Sequence, residues 1–134
     1  MTLIASARLV SSDGYAQNIR VGHHSLVADE PPARGGQDAG PAPFALVLSG
    51  LGACTAITLK MYAGRKQWDL RELRMDLTLT EEGGQRRIER VLHFDPSLSA
   101  EQRGRLLEIA EKTPVTLALK TGFTIDTRAA TGSA

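Results

Sequence analysis

The sequence contains little cysteine and almost no net charge. A single cysteine among 134 residues excludes an intrachain disulfide framework, and His23 and His24 lack a third ligand at the spacing of a metal site. The 16 Lys and Arg residues balance 15 Asp and Glu residues to a net charge of +1, which provides no strong field for nucleic-acid phosphates. The segment 50–52 lacks the third glycine of a dinucleotide-binding fingerprint. We therefore expect no metal, no cofactor and no nucleic-acid partner.

What the chain does contain is ordinary for a globular protein. A hydrophobic content of 42% and a charged content of 23% exclude a disordered chain. The length fits one domain, which we predict over residues 1–128, followed by a short mobile tail over 129–134. No basic segment precedes a long apolar stretch near the N-terminus, so we predict no signal peptide and expect a cytoplasmic protein.

The longest uncharged run covers residues 41–59 and is the nearest approach to a membrane span. Its prolines, glycines and hydroxyl residues keep its hydropathy modest, so we predict a buried central helix over 43–65 and no membrane partner. Apolar residues occupy nearly every face of this helix. One chain with one other helix cannot easily bury it on all sides, which favours a homodimer.

Alternating and helical patterns divide the rest of the chain into strands and one further helix. We predict three strands before residue 30, two alternating strands around Gly83-Gly84, a helix over about 100–112, and a last strand carrying Phe123 and Ile125. Ser99 and Gln102 fit a capping box at the start of the second helix, and Pro114 is expected to end it. This order predicts an α+β fold with largely antiparallel sheet.

Cys54 is the first candidate for chemistry, and it is either a buried small hydrophobe or a nucleophile. The helix dipole cannot activate it, because Cys54 lies about eleven residues and ~16 Å beyond Pro43, whereas dipole effects fade within the first turn. A reactive Cys54 therefore needs a cation from elsewhere. Arg34, on the glycine-rich loop 29–40, is the nearest candidate in sequence, and the alternative interpretation is a solvated loop arginine.

Several segments together resemble one protein family. They are Ala28–Pro31, Gly35–Phe44, Leu51–Ala56, Met61–Ala63, Arg87–Arg90 and Leu106–Ala110. These segments resemble the OsmC/Ohr family, named after osmotically inducible protein C and the organic hydroperoxide resistance protein. The similarity extends over about residues 20–127, and Lys112–Val115 falls where the family has its second cysteine motif.

The resemblance implies an intertwined homodimer, with antiparallel sheets wrapped around central buried helices and active sites at the subunit interface. It implies that the helix cysteine, here Cys54, attacks a hydroperoxide as a thiolate and becomes a sulfenic acid. A loop arginine, matched here by Arg34, stabilises that thiolate, and a glutamate at the helix start holds the arginine. A second cysteine then forms a disulfide with the first.

Three family positions are occupied differently in this chain, and one of them is Thr116, where relatives often have a histidine. Thr113 stands at the resolving-cysteine position and has no thiol, and Phe44 stands at the glutamate position and cannot pair with Arg34 as a carboxylate would. Two functions therefore remain open: a one-cysteine peroxidase of the oxidative stress response, with an external thiol as reductant, or a redox-silent binding or structural protein. Apolar neighbours, with Phe44 and Leu51 as pocket candidates, favour an organic hydroperoxide as the substrate.

Overall fold

The structure, a computed structural model, describes residues 1–131, so residues 132–134 of the predicted tail lie outside the described part of the chain. Within residues 1–131 the elements are β1 Arg8–Ser11, β2 Gln17–Val21, β3 His24–Ala28, α1 Pro43–Lys66, β4 Arg74–Glu82, β5 Gln85–His93, α2 Ala100–Ala110 and α3 Pro114–Thr121. This mixture of antiparallel sheet and helix confirms the predicted α+β class.

The chain divides into two compact units. Unit 1 comprises Met1–Gly50 and Leu77–Glu89, and unit 2 comprises Leu51–Asp76 and the described chain from Arg90 onward. Helix α1 and the β4–β5 pair each contribute residues to both units. The single domain predicted over 1–128 stays a prediction.

Unit 1 contains a three-stranded antiparallel sheet in the order β1-β2-β3. On one side of β2, Gln17 pairs with Ser11, and on the other side it pairs with Ala28. A tight turn joins β2 to β3, and Gly22 takes a φ of 60° there, a conformation that favours glycine. The three strands predicted before residue 30 are therefore confirmed.

Strands β4 and β5 pair as a hairpin whose turn is Gly83-Gly84. The two glycines have positive φ angles of 59° and 82°, which two-residue hairpin turns of type I′ require. Along β4, half-buried apolar residues alternate with exposed polar ones, as the pattern predicts. Along β5 the half-buried set is Ile88, Arg90 and Leu92, so an arginine shares the inward face with two apolar residues.

Helix α1 is buried along one line only. Its buried residues are spaced by four positions: Leu51, Thr55, Leu59 and Ala63. Other apolar residues of the helix face solvent, with exposed fractions of 54% for Ile57 and 60% for Met61. The bounds of α1 confirm the predicted helix, whereas burial on all sides is not reached within one chain.

By length and composition, α1 also passes for a membrane span, with a mean hydropathy of 1.6 and 17% of that stretch buried. The core helix of a soluble protein passes the same test, so this similarity is weak evidence for a span.

The core of unit 2 is formed mainly by α1 and α2. Leu59 and Ala63 of α1 pack with Leu106 of α2 in its buried cluster. Helix α2 begins with the predicted capping box, in which Ser99 Oγ accepts a hydrogen bond from the Gln102 N–H at 3.0 Å and Gln102 Oε1 accepts one from the Ser99 N–H at 2.8 Å. The helix ends at Ala110, two residues earlier than predicted.

The prediction for the chain after α2 was wrong. Pro114 begins a third helix rather than only ending the second, because Thr113 caps its N-terminus and proline suits the first helical position. The last strand is absent from the described residues: Phe123 and Ile125 follow α3 without regular structure and are 69% and 83% exposed. No strand among residues 1–131 pairs with them, so their alternation has no sheet to join.

Candidate functional site

The loop that carries Arg34 is organised in unit 1 around a buried carboxylate. Asp29 accepts hydrogen bonds from the backbone N–H groups of Glu30 at 2.7 Å, Ala39 at 3.1 Å and Gln37 at 3.2 Å. These bonds, the one from Ala39 foremost, hold the pKa of the Asp29 carboxyl below its ordinary value, although burial acts in the opposite direction. One side chain thus fixes both ends of the loop.

Two positions of this loop require glycine because other backbone atoms lie too close to leave room for a side chain. A Cβ atom at Gly36 would overlap the carbonyl oxygen of Glu30, and one at Gly40 would overlap the carbonyl oxygen of Val27. The glycine-rich composition therefore reflects tight packing and not the flexibility of a linker.

Arg34 is exposed at the end of a short 3-10 turn, Pro32–Arg34. Its side chain forms no ion pair with any residue that the structure describes. Arg34 and Phe44 line the same open groove of unit 1, which has a volume of about 700 Å³. The structure therefore brings together two of the residues that the sequence singles out.

Phe44 engages a different arginine in this groove. The Arg86 guanidinium lies 5.4 Å from the centre of the Phe44 ring, at the distance of a cation–π contact. Arg86 Nε also lies 2.9 Å from Glu81 Oε1, so a carboxylate from β4 holds this guanidinium in place. The sequence alone does not show this contact, because it depends on where the hairpin lies relative to the helix start.

Cys54 lies in unit 2, on α1, and is partly exposed in the single chain. Its Sγ is 4.0 Å from the hydroxyl oxygen of Thr58, one turn further along the helix. Leu51 also belongs to unit 2, where it is buried on the inward line of α1. The candidates thus separate into Arg34 and Phe44 in unit 1 and Cys54 and Leu51 in unit 2, and their proposed roles stay predictions.

A polar cluster in unit 2 surrounds the guanidinium of Arg90, whose side chain is 10% exposed. Arg90 Nη1 donates to Thr55 Oγ1 at 2.8 Å and to Thr116 Oγ1 at 2.9 Å. Its Nη2 donates to the carbonyl oxygen of Ala110 at 3.0 Å and to Glu111 Oε2 at 3.1 Å. A buried charge is thus met by four hydrogen-bond acceptors.

Thr113 is buried at the edge of this cluster. Its Oγ1 lies 2.6 Å from Thr116 Oγ1 and accepts a hydrogen bond from the Thr116 N–H at 3.3 Å, which caps α3. The residue at the predicted resolving position therefore has a structural task in this chain.

The sequence analysis did not single out Arg90, although one signal was available. Arg90 lies two residues from both Ile88 and Leu92 along β5, so the alternation of a strand places it on the same inward face. An arginine on an inward face needs partners, and its partners lie at least 20 residues away along the chain. Among residues 1–131, no group of three or more His, Cys, Asp and Glu side chains is placed to hold a metal ion.

A family model described as OsmC-like protein matches residues 35–128 of the chain. No curated protein sequence matches it significantly.

Solved structures match at low sequence identity and therefore inform the fold alone. An osmotic stress induced and detoxification response protein from Psychrobacter arcticus has a TM-score of 0.76 at 14% identity, covering 88% of this chain and 90% of that one. An OsmC-like protein from Mycoplasma pneumoniae has a TM-score of 0.72 at 18% identity, with coverages of 90% and 89%. The organic hydroperoxide resistance protein OhrB of Bacillus subtilis has a TM-score of 0.61 at 22% identity, with coverages of 88% and 91%.

Proposed function

The chain belongs to the OsmC-like protein family, and on that premise we propose that it is a thiol-dependent peroxidase that reduces organic hydroperoxides through Cys54. The observation that carries the proposal is the place of Cys54: it is the single thiol of the chain, partly exposed, on the helix inside the family-matched segment. The hydroperoxide resistance named for the Bacillus subtilis neighbour supports the same substrate class.

The proposed reaction has two stages. The Cys54 thiolate attacks the outer oxygen of the hydroperoxide, the O–O bond breaks, and the departing alkoxide takes a proton and leaves as an alcohol. Cys54 is then a sulfenic acid. A first external thiol condenses with it and releases water, and a second external thiol reduces the resulting mixed disulfide, so that the external disulfide is released and the Cys54 thiol is regenerated.

An external thiol is needed because the chain supplies no second thiol. Thr113, at the family's resolving position, carries a hydroxyl that hydrogen-bonds to Thr116. A hydroxyl cannot form a disulfide, so we propose that sulfenic acid accumulates when no external thiol is present.

Intact-mass spectrometry after one equivalent of tert-butyl hydroperoxide tests this function. We expect one added oxygen, which a dimedone-type reagent traps, and return to the reduced mass on adding a small thiol. Cys54→Ser is the matched control and should remain unmodified. If the parent protein keeps its reduced mass with an excess of several organic hydroperoxides, the peroxidase proposal fails.

In the same proposal, Arg34 supplies the cation for the Cys54 thiolate. The family resemblance supports this role, and so does the freedom of the Arg34 side chain from ion pairs among residues 1–131. Arg34→Ala should slow oxidation of Cys54, whereas Arg87→Ala, at an exposed position of β5, should leave the rate unchanged. Equal rates in the parent and in Arg34→Ala would remove Arg34 from the site.

We also propose that the working form is a homodimer in which a second copy covers the open apolar residues of α1. Phe44 and Val47 are exposed near the helix start, and Ile57 and Met61 are exposed further along. Apolar surface of this kind contributes roughly 25 cal/mol per Å² when a partner removes it from water. Sedimentation at micromolar concentration should give twice the mass of one chain, and a stable folded monomer would contradict the proposal.

A second candidate function is binding without redox chemistry. The groove of unit 1 favours it, since a cavity of about 700 Å³ lined by Arg34, Phe44 and Arg86 is large enough for a small organic molecule. The mass experiment separates the two candidates, because a binding protein would leave Cys54 reduced.

A further inference from the structure

Arg90 joins three helices of unit 2 from a strand. Its two terminal nitrogens donate to Thr55 on α1, to the last carbonyl of α2 at Ala110, and to Thr116 on α3. Thr55 follows Cys54 directly in the chain, and Thr116 lies in the helical turn that Thr113 caps. One guanidinium therefore contacts both the turn of α1 that carries the Cys54 thiol and the first turn of α3, which Thr113 caps at the family's resolving-cysteine position.

The hydrogen-bond directions require a donor at position 90. Thr55 Oγ1 donates its single proton to the carbonyl oxygen of Leu51 at 2.7 Å, so it meets Arg90 as an acceptor. Thr116 Oγ1 donates to the carbonyl oxygen of Ala110 at 3.2 Å and is likewise an acceptor toward Arg90. With these directions set, Thr113 Oγ1 donates to Thr116 Oγ1 and closes the network.

The planar fork of arginine suits this arrangement better than lysine does. Four N–H groups on two nitrogens reach four acceptors in separate directions, whereas an ammonium has three N–H groups at one point. Glu111 accepts the fourth bond at the rim of the cluster and balances the charge, and Lys120 Nζ holds the other oxygen of Glu111 at 2.8 Å.

We propose that Arg90 is a positioning residue that holds the first turn of α3 to the turn of α1 next to Cys54. The connection consists of hydrogen bonds, so it is present whether Cys54 is reduced or oxidised, whereas a disulfide would connect the two segments only in the oxidised state. The inference rests on the proposed function only in naming Cys54 as the reacting thiol.

Hydrogen exchange of the α3 amides tests the connection. Arg90→Met should speed exchange at Thr116 and Leu117 by about tenfold or more, because the first turn of α3 loses its anchor. Thr55→Val changes the partner on α1 and should act in the same direction but less strongly. Arg90→Lys should restore part of the protection, and Arg87→Met on the same strand should have no effect. Capping Cys54 with iodoacetamide in the parent should leave α3 exchange unchanged.

A second measurement separates positioning from general stability. Iodoacetamide alkylation of Cys54, measured where every variant is folded, should become several-fold faster in Arg90→Met and return toward the parent rate in Arg90→Lys. A purely structural residue would lower the unfolding temperature and leave this rate alone. Unchanged alkylation, or unchanged α3 exchange, overturns the proposal.

Thr55→Val decides the question if Arg90→Met does not fold, since it removes one hydroxyl from a side chain of nearly the same shape. Unchanged exchange at Thr116 and Leu117 in that variant overturns the proposal. Neither measurement requires a hydroperoxide. A Cys54 that is inert to hydroperoxides therefore contradicts the proposed function and leaves this inference standing.

Discussion

Among residues 1–131, each unit contains a charged side chain that is largely buried, and the two charges are satisfied in opposite ways. Asp29 in unit 1 is an anion whose partners are backbone N–H groups, all within ten residues along the chain. Arg90 in unit 2 is a cation whose bonds reach hydroxyl and carbonyl oxygens on three helices, up to 35 residues away. The anion therefore fixes the shape of one loop, whereas the cation fixes how separate elements pack.

Removing the Arg90 guanidinium should have the largest effect on the free energy of unfolding. Arg90→Met deletes four hydrogen bonds and leaves the buried carbonyl of Ala110 without one of its donors, so we expect a loss of about 3 kcal/mol in the free energy of unfolding. Urea denaturation followed by circular dichroism measures it. Arg87→Met is the control and should stay within about 0.5 kcal/mol of the parent. A loss as small as that of the control would show that the cluster contributes little to packing.

Removing the anion should have a smaller effect, and one that depends on pH. The folded-state pKa of Asp29 lies below its ordinary value of 3.8, so its stabilising contribution is complete above that pH and is lost as pH falls through the folded value. The stability difference between the parent and Asp29→Asn should therefore narrow as the solution is acidified. Urea midpoints at a series of pH values measure it.

Asp38→Asn is the control for the Asp29 experiment, because Asp38 lies exposed in the same loop with a φ of 54° that asparagine also tolerates. The Asp38 carboxylate accepts none of the loop's hydrogen bonds among residues 1–131, so Asp38→Asn should shift the urea midpoints much less than Asp29→Asn does. A difference between the parent and Asp29→Asn that stays constant with pH would contradict the account of the loop.

A thiol in place of Thr113, at the edge of the polar cluster around Arg90, should lower stability moderately and speed the recovery of oxidised Cys54. Thr113→Cys replaces the hydroxyl that caps α3, and we expect a loss of about 1 kcal/mol. After oxidation of Cys54 the new thiol should form an intramolecular disulfide and speed recovery. Non-reducing mass analysis measures this. Thr121→Cys, at the far end of α3, should recover no faster than the parent, and equal recovery in both variants would count against Thr113 as the resolving position.

Removing the charge of Glu111, at the rim of the polar cluster around Arg90, should have the smallest effect on stability. Hydrogen bonding to Lys120, more than the contribution of Arg90, holds the pKa of Glu111 below its ordinary value of 4.5. This contribution is present above pH 4.5 and is lost as pH falls through the folded value. Because Glu111 is largely exposed and solvent screens it, Glu111→Gln should cost at most about 0.5 kcal/mol, and less in high salt. A loss as large as that of Arg90→Met would mean that the carboxylate, and not the hydroxyls, carries the cluster.

Local patterns were sufficient to predict much of the fold. The capping box at Ser99, the turn at Gly83-Gly84 and the bounds of α1 all depend on neighbouring residues, and each is confirmed. The pair Thr113-Pro114 is also a local signal for the start of α3, because threonine caps a helix and proline suits its first position. The sequence analysis interpreted Pro114 only as the end of α2.

The unpredicted features depend on distant residues. The partners of Arg90 come from three helices, and the contact of Arg86 with Phe44 depends on how the hairpin lies against the helix start. The prediction of a last strand was wrong for a related reason. Phe123 and Ile125 follow the alternating pattern of a strand, but a strand forms only where another strand pairs with it.

The spacing of the buried residues along α1 has a geometric consequence for any covering partner. Leu51, Thr55, Leu59 and Ala63 recur every four residues. An α-helix completes a turn in about 3.6 residues, so each step of four advances the buried line by about 40° around the axis, and three steps advance it by about 120°. Ile57 and Met61, two open apolar residues of the same stretch, are also four residues apart and shift around the axis by the same angle. A partner that covers this stretch of α1 therefore has to follow a line that winds around the helix axis.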